Sequence, residues 1–269
     1  MKILISFLLF LSLPLYGEVI KIYCAGSLFP YFKALKKMVK EENWRIYSGG
    51  SVLLIRQIKD LGKRPDFLAV ADARLIKEEL IPEFTSYVRE FATNEMVIVV
   101  KEGIEIKRLP EDLLRLKLGR SDPRFDPCGY YTLMVWKLMG KYYERKGFYQ
   151  RMLEQASFIR PKSLDLITYL KGGVIDACFL YRSEAVSFHL KFFSLPSQVN
   201  LGDSSFKKMY EDVVVKVGDE ERRGRLIVYG LTSFSEEGKK VERAVLSEVG
   251  RKLLKKMGFG VILTSEGRR

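Results

Sequence analysis

Short runs of consecutive apolar residues alternate along the chain with longer stretches in which apolar positions return every three or four residues. The first pattern predicts strands and the second predicts helices. Val19 to Ala25 alternates and is rich in β-formers, predicting a first strand. Pro30 lies just inside the helix that follows, which runs to about Glu42 with Phe32, Leu35 and Val39 on one face. Trp44 to Tyr47 predicts a short strand, and Val52 to Leu61 a second helix. Phe67 to Ala71 is continuously apolar, as in a parallel strand covered on both faces, and a helix starts near Arg74. Met96 to Val100 is another apolar strand. After the polar, proline-containing stretch Lys101 to Pro110 the pattern restarts, with a strand at Lys117–Gly119 and a helix from Tyr130 to Tyr143. A helix over Ser163–Leu170, a strand over Asp176–Tyr181 and a helix over Ser183–His189 follow. Leu226 to Leu231 is strand-like, and Lys239 to Met257 predicts one amphipathic helix. Strand and helix in this order indicate an α/β architecture of two doubly wound lobes. The expected division is 18–96 with 226–269 for the first lobe and 97–225 for the second. A ligand would sit in the cleft between them, at the carboxyl ends of the strands.

The N-terminus changes this picture at one end. Lys2 precedes an almost wholly apolar run from Ile3 to Leu15, too short for a bilayer span of about 20 residues. It fits a secretory leader over 1–17, with Gly17 at the cleavage position, and so an exported protein. Three scattered cysteines, Cys24, Cys128 and Cys178, make neither a disulfide framework nor a zinc motif. With one histidine, His189, any histidine-based metal site or hydrolytic triad would depend on that residue alone. The formal charge of +13 is spread over helix faces with acids interleaved, without the signature of a nucleic-acid binder.

Candidate chemistry lies in three strand–turn–helix junctions: Ala25-Gly26-Ser27-Leu28-Phe29-Pro30, Ser48-Gly49-Gly50-Ser51, and Ser121 to Tyr130. Each would place hydroxyls and free N–H groups at a helix N-terminus, where the dipole is positive and an anion can be held without a buried cation. Ser27 is expected to cap its helix and Ser51 to sit at the mouth of the next. Asp126 reads in two ways. It is a helix cap, or it meets the ligand, which for an anion requires a bond to the central atom or to a protonated oxygen. Tyr181, at the end of a buried strand, could donate from its phenol or could simply fill the core.

Several blocks together resemble the tungstate/molybdate-binding proteins of ABC importers, the archaeal-type group. They are Ala25-Gly26-Ser27-Leu28, Gly50-Ser51 with Ile55-Arg56-Gln57-Ile58, and Ala71-Asp72 with Leu75-Ile76. Phe91 to Val97, Asp126-Pro127-Cys128-Gly129-Tyr130 and Arg160-Pro161-Lys162 follow. Leu180 to Ala185, Asn200-Leu201-Gly202-Asp203 and Ile227-Val228-Tyr229-Gly230 complete the series, in order and over nearly the whole mature chain. The resemblance implies a two-lobe periplasmic-binding-protein fold of type II, its lobes joined by two crossover segments. It further implies an oxyanion held by Ser27 and Ser51 from one lobe and by the Cys128 amide and Tyr181 phenol from the other. Asp126 would bond the metal atom of that oxyanion directly.

Ser163 departs from the pattern. It stands after Pro161-Lys162, where the resemblance calls for a glutamate that supplies a second carboxylate. Its hydroxyl and amide can donate to an oxyanion oxygen but cannot replace that ligand, so tetrahedral and six-coordinate binding both stay open. The partners implied are a membrane permease and its ATPase. The protein is expected to be a monomer, to need no cofactor beyond its molybdate or tungstate ligand, and to catalyse nothing. The alternatives are a sulfate- or phosphate-type binding protein on the same fold, an exported sensing module, and an enzyme using Cys128 with His189.

Overall fold

A computed structural model describes residues 18–41 and 43–263; the leader expected over 1–17 lies outside the described residues. No helix among them is long and apolar enough to cross a membrane. The chain alternates β1 (Ile20–Ala25), α1 (Phe29–Met38), β2 (Trp44–Gly49), α2 (Ser51–Lys59), β3 (Phe67–Val70) and α3 (Ala73–Glu79) before β4 (Arg89–Asn94) and β5 (Met96–Val100). It restarts with β6 (Leu118–Ser121), α4 (Pro127–Tyr142), α5 (Phe148–Gln155), β7 (Phe158–Arg160), α6 (Ser163–Lys171), β8 (Ala177–Tyr181), α7 (Arg182–Ser187) and β9 (Phe192–Ser194). Helix α8 (Lys207–Glu211) and the hairpin β10 (Val214–Val217) and β11 (Glu220–Arg223) precede β12 (Ile227–Ser233), α9 (Glu236–Leu246), α10 (Glu248–Lys256) and β13 (Gly260–Val261).

Two mixed sheets result. The first has strand order β13-β4-β12-β3-β1-β2 and the second β7-β6-β8-β5-β9. Their plans correspond: β2, β1 and β3 are parallel and β12 runs against β3, while β7, β6 and β8 are parallel and β5 runs against β8. The apolar strands sit where both faces are covered, and every residue of β3, β5 and β8 is buried. Helix α4 is buried around most of its circumference, against β8, β6, β5, β10 and α5.

Only Glu95 separates β4 in the first sheet from β5 in the second. Met96, grouped by the sequence with the first lobe, pairs with Tyr181 in the second sheet. The backbone carbonyl of Glu95 accepts from Arg182 N at 2.9 Å, and its carboxylate takes Arg182 and Asn200, each at 2.9 Å. The chain returns to the first sheet at β12.

One predicted element is divided. The single helix expected over Lys239–Met257 is the pair α9 and α10, broken at Ser247, whose backbone is extended (φ −64°, ψ 164°). The Ser247 hydroxyl accepts from Gly250 N at 3.1 Å and so caps α10. A Cβ on Gly250 would lie 2.4 Å from the carbonyl oxygens of Ala244 and Val245, so the corner needs a glycine. Apolar spacing continues through the break, and periodicity alone cannot show it.

Candidate functional site

The carboxyl ends of corresponding strands in the two sheets carry turns that face each other. From the first sheet come the one-turn helix Gly26–Leu28 after β1 and the Gly50-Ser51 junction after β2. From the second come the Asp122–Asp126 turn after β6, Pro161-Lys162 after β7, and Tyr181 at the end of β8. They touch. A Cβ on Gly26 would lie 3.2 Å from Leu164 of α6, and one on Gly50 would lie 2.3 Å from the Phe125 carbonyl oxygen. Leu53 N donates to that same oxygen at 3.3 Å. Replacing Gly50 with alanine is expected to wedge these turns apart at a cost of about 1–3 kcal/mol. Small-angle scattering would register a more open particle and calorimetry a lower Tm; no change in either would mean that the turns do not meet in solution.

Ser27, Ser51, Asp126, Cys128, Ser163 and Tyr181 are each 5 % exposed or less. Their hydrogen bonds depart from simple capping. Ser27 lies inside the one-turn helix and caps nothing; its Oγ is 2.8 Å from Tyr229 Oη on β12. The expected cap fails because Phe29 and Pro30 open α1 only after that extra turn. Ser51 is the first residue of α2, and its Oγ accepts from Ala71 N at 3.0 Å, tying α2 to the end of β3.

Asp126 does cap α4, with Oδ1 accepting from Cys128 N at 3.1 Å. Its other oxygen accepts from Ser163 N, the first amide of α6, at 2.7 Å. One carboxylate thus satisfies two helix N-termini, and it occupies the Cys128 and Ser163 amides that the sequence offered to an anion. Burial pushes the Asp126 carboxyl up to about 6, although both amide bonds pull it down. Ser163 Oγ lies 2.5 Å from Glu184 Oε1, within hydrogen-bond distance, and Tyr181 N donates to Glu184 Oε2 at 3.3 Å. Glu184 is fully buried, and burial pushes it up to about 8.

Tyr181 Oη is buried and has no hydrogen-bond partner among the described residues. Its ring packs edge-on against those of Tyr229 and Tyr131, at 5.8 and 6.4 Å between centroids. The Cys128 thiol donates to Phe179 O at 3.5 Å, and burial holds it well above the usual thiol range. His189 is exposed, at the far end of α7.

Sequence reasoning assigned no role to four groups that organise this region. Tyr229 bonds Ser27 and accepts from Asn94 Nδ2 at 3.3 Å, and Asn94 Nδ2 also reaches Ser183 Oγ at 2.8 Å. Glu184 is the third. The fourth is a polar clasp in which Tyr130 Oη of α4 donates to Asp72 Oδ2 at 2.6 Å and Arg225 pairs with the same carboxylate. All lie in or beside the family-like blocks, but as single letters they read as ordinary core or surface residues.

The sequence model for bacterial extracellular solute-binding proteins matches residues 20–260. The chain belongs to that family. This solute-binding protein is 32 % identical to an uncharacterized solute-binding protein of Staphylothermus marinus, over 90 % of this chain and 83 % of the relative. It is also 32 % identical to the molybdate/tungstate-binding protein WtpA of Pyrococcus abyssi, over 78 % of this chain and 74 % of that one. Among solved structures it resembles the periplasmic molybdate-binding protein of Azotobacter vinelandii, with a TM-score of 0.66 at 15 % identity, covering 91 % of this chain and 100 % of the other. The solute-binding protein therefore has the two-lobe α/β fold of the periplasmic binding proteins, and its family places it outside the cytoplasm.

Proposed function

We propose that this protein captures molybdate or tungstate between its two sheets and delivers it to an ABC permease with its ATPase. The buried Tyr181 hydroxyl carries the reading. A phenol left without a partner costs about 1–3 kcal/mol, and a bound oxyanion would recover it. Around it the proposed site offers the hydroxyls of Ser27, Ser51 and Ser163 and the Asp126 carboxylate as the group that meets the metal atom. The Cys128 amide, held by Asp126 in the ligand-free protein, joins them once Asp126 turns to the metal. Neutral donors cannot accept a proton and so favour a fully ionised oxyanion. Sulfate, being smaller, would leave donors stretched or unpaired. Two named relatives point the same way: the WtpA protein of Pyrococcus abyssi and that of Thermococcus kodakarensis, 31 % identical to this chain.

On this reading the protein is an exported monomer, released from a leader, and a carrier without catalytic activity. The buried, hard-to-ionise Cys128 thiol is a poor nucleophile. Isothermal titration with molybdate, tungstate, sulfate and phosphate is the test. Tight binding of the first two with at least tenfold weaker sulfate is expected; micromolar sulfate binding with no molybdate response would sink the proposal.

A further inference from the structure

Ser163 stands between two buried carboxyl groups. Its N–H donates to Asp126, and its Oγ lies 2.5 Å from Glu184 Oε1. The titratable groups facing Glu184 are the Asp126 carboxyl capping α4, the Cys128 thiol in its first turn, the Cys178 thiol on β8 and the Tyr229 phenol on β12. None is a cation. An anionic ligand arriving here would add further negative charge to the same enclosure.

The contact between Ser163 and Glu184 has two senses. An ionised carboxyl only accepts, which commits the single Ser163 proton to Glu184 and leaves only oxygen lone pairs for a ligand. A neutral carboxyl carries a proton of its own and can give it to Ser163 Oγ, which frees the serine proton to point elsewhere. For a site that must hold an oxyanion, only the second sense makes Ser163 a donor. It also removes one unit of like charge from a place with no cation to offset it.

We propose that Glu184 is the positioning residue of the oxyanion site: as the neutral acid it donates to Ser163 Oγ and so turns the Ser163 hydroxyl proton toward the bound anion. This rests on the oxyanion reading given above. Asp126 faces two amide N–H donors, which favour its ionised form. Glu184 faces one amide and a hydroxyl and is pushed up by burial to about 8, so Glu184 is the carboxyl that keeps a proton. Asp126 is then the acceptor for two amides, and Glu184 is the donor to a hydroxyl. Binding requires the Glu184 proton and weakens as the pH rises past its titration.

The test is titration of molybdate between pH 7 and 9.5 with wild type, Glu184→Gln, Glu184→Leu and Ser163→Ala. An amide at 184 donates to Ser163 Oγ in the same sense as the acid but does not titrate. Wild type should lose about tenfold in affinity by pH 9, as one linked proton requires. Glu184→Gln should stay within about threefold of wild type at pH 7 and hold that affinity to pH 9. Glu184→Leu and Ser163→Ala should be weaker by about tenfold at pH 7, the loss of one hydrogen bond to a charged group. The infrared band of a protonated carboxyl should be present in wild type at pH 7 and absent from Glu184→Gln, with or without ligand. An alkaline loss retained in Glu184→Gln, or a glutamine variant as weak as the leucine one, overturns the proposal. Wild type that binds molybdate and tungstate at no pH overturns the oxyanion reading and this proposal with it. An infrared band without binding would mark that case as a failure of the ligand assignment and not of the Glu184 protonation state.

Discussion

Asp72→Ala is expected to lower the unfolding free energy of the ligand-free protein by about 3–5 kcal/mol, because it strands a buried guanidinium. Arg225 and Asp72 pair with side chains only 12 % and 3 % exposed. The Asp72 carboxylate also accepts from Tyr130 Oη at 2.6 Å and, through its other oxygen, from Arg74 N at 3.1 Å as the cap of α3. One alanine thus removes an ion pair, a phenol's partner and a cap. The arginine side chains of 222 and 225 lie over the Tyr130 ring, at 5.1 and 5.9 Å, and hold it over Asp72. Arg225→Met should cost clearly less, since Asp72 would still hold Tyr130 and the α3 amide. Urea denaturation of both variants decides the matter. A loss below about 1 kcal/mol for Asp72→Ala would mean that Arg225 finds water when its partner is removed. Asp72 precedes α3 on the first sheet, Tyr130 is on the α4 that packs on the second, and Arg225 leads into β12. The same variants should therefore also loosen the approach of the two lobes.

The second large effect is a pH dependence of stability. Glu184 is raised from 4.5 to about 8 in the folded protein, so between those values the native state holds a proton that the unfolded chain has released. Raising the pH through that window favours unfolding, and the stability associated with Glu184 is lost as the pH climbs toward 8. Relative to Glu184→Gln, wild type should lose on the order of 4 kcal/mol between pH 4.5 and 8.5. Comparison with the glutamine variant cancels the carboxylates that titrate the other way, such as Asp122, which the Arg124 guanidinium holds below its usual range. A difference between the two proteins that does not change with pH would show Glu184 ionising in the native state as it does in the unfolded chain.

The sheets were legible because their central strands are covered on both sides and so must be apolar throughout. Phe67–Val70, Met96–Val100 and Ala177–Tyr181 follow this rule. The edges were not. Phe158–Arg160 and Phe192–Ser194 are three residues each, and Glu220–Arg223 pairs with Val214–Val217 while consisting wholly of charged residues. At the site, Asp126 as a cap was readable from local spacing, since the aspartate directly precedes Pro127 at the start of a helix. Ser27 was not, because its partner Tyr229 is 202 residues away. Glu184 was hidden for another reason. A glutamate in the first turn of a helix is what the dipole favours on any exposed helix, and only the three-dimensional packing shows that this one is sealed from water.

The Asp126 carboxylate, shared between the first turns of α4 and α6, acts as a tethered counter-ligand. A free anion that reaches those amides takes part in an exchange, because a charge attached to the chain already sits there and cannot diffuse away. Solution concentration then competes with an effective local concentration fixed by geometry. On the oxyanion reading, a weakly held monovalent ion would lose that exchange before its size or hydrogen-bond count is tested.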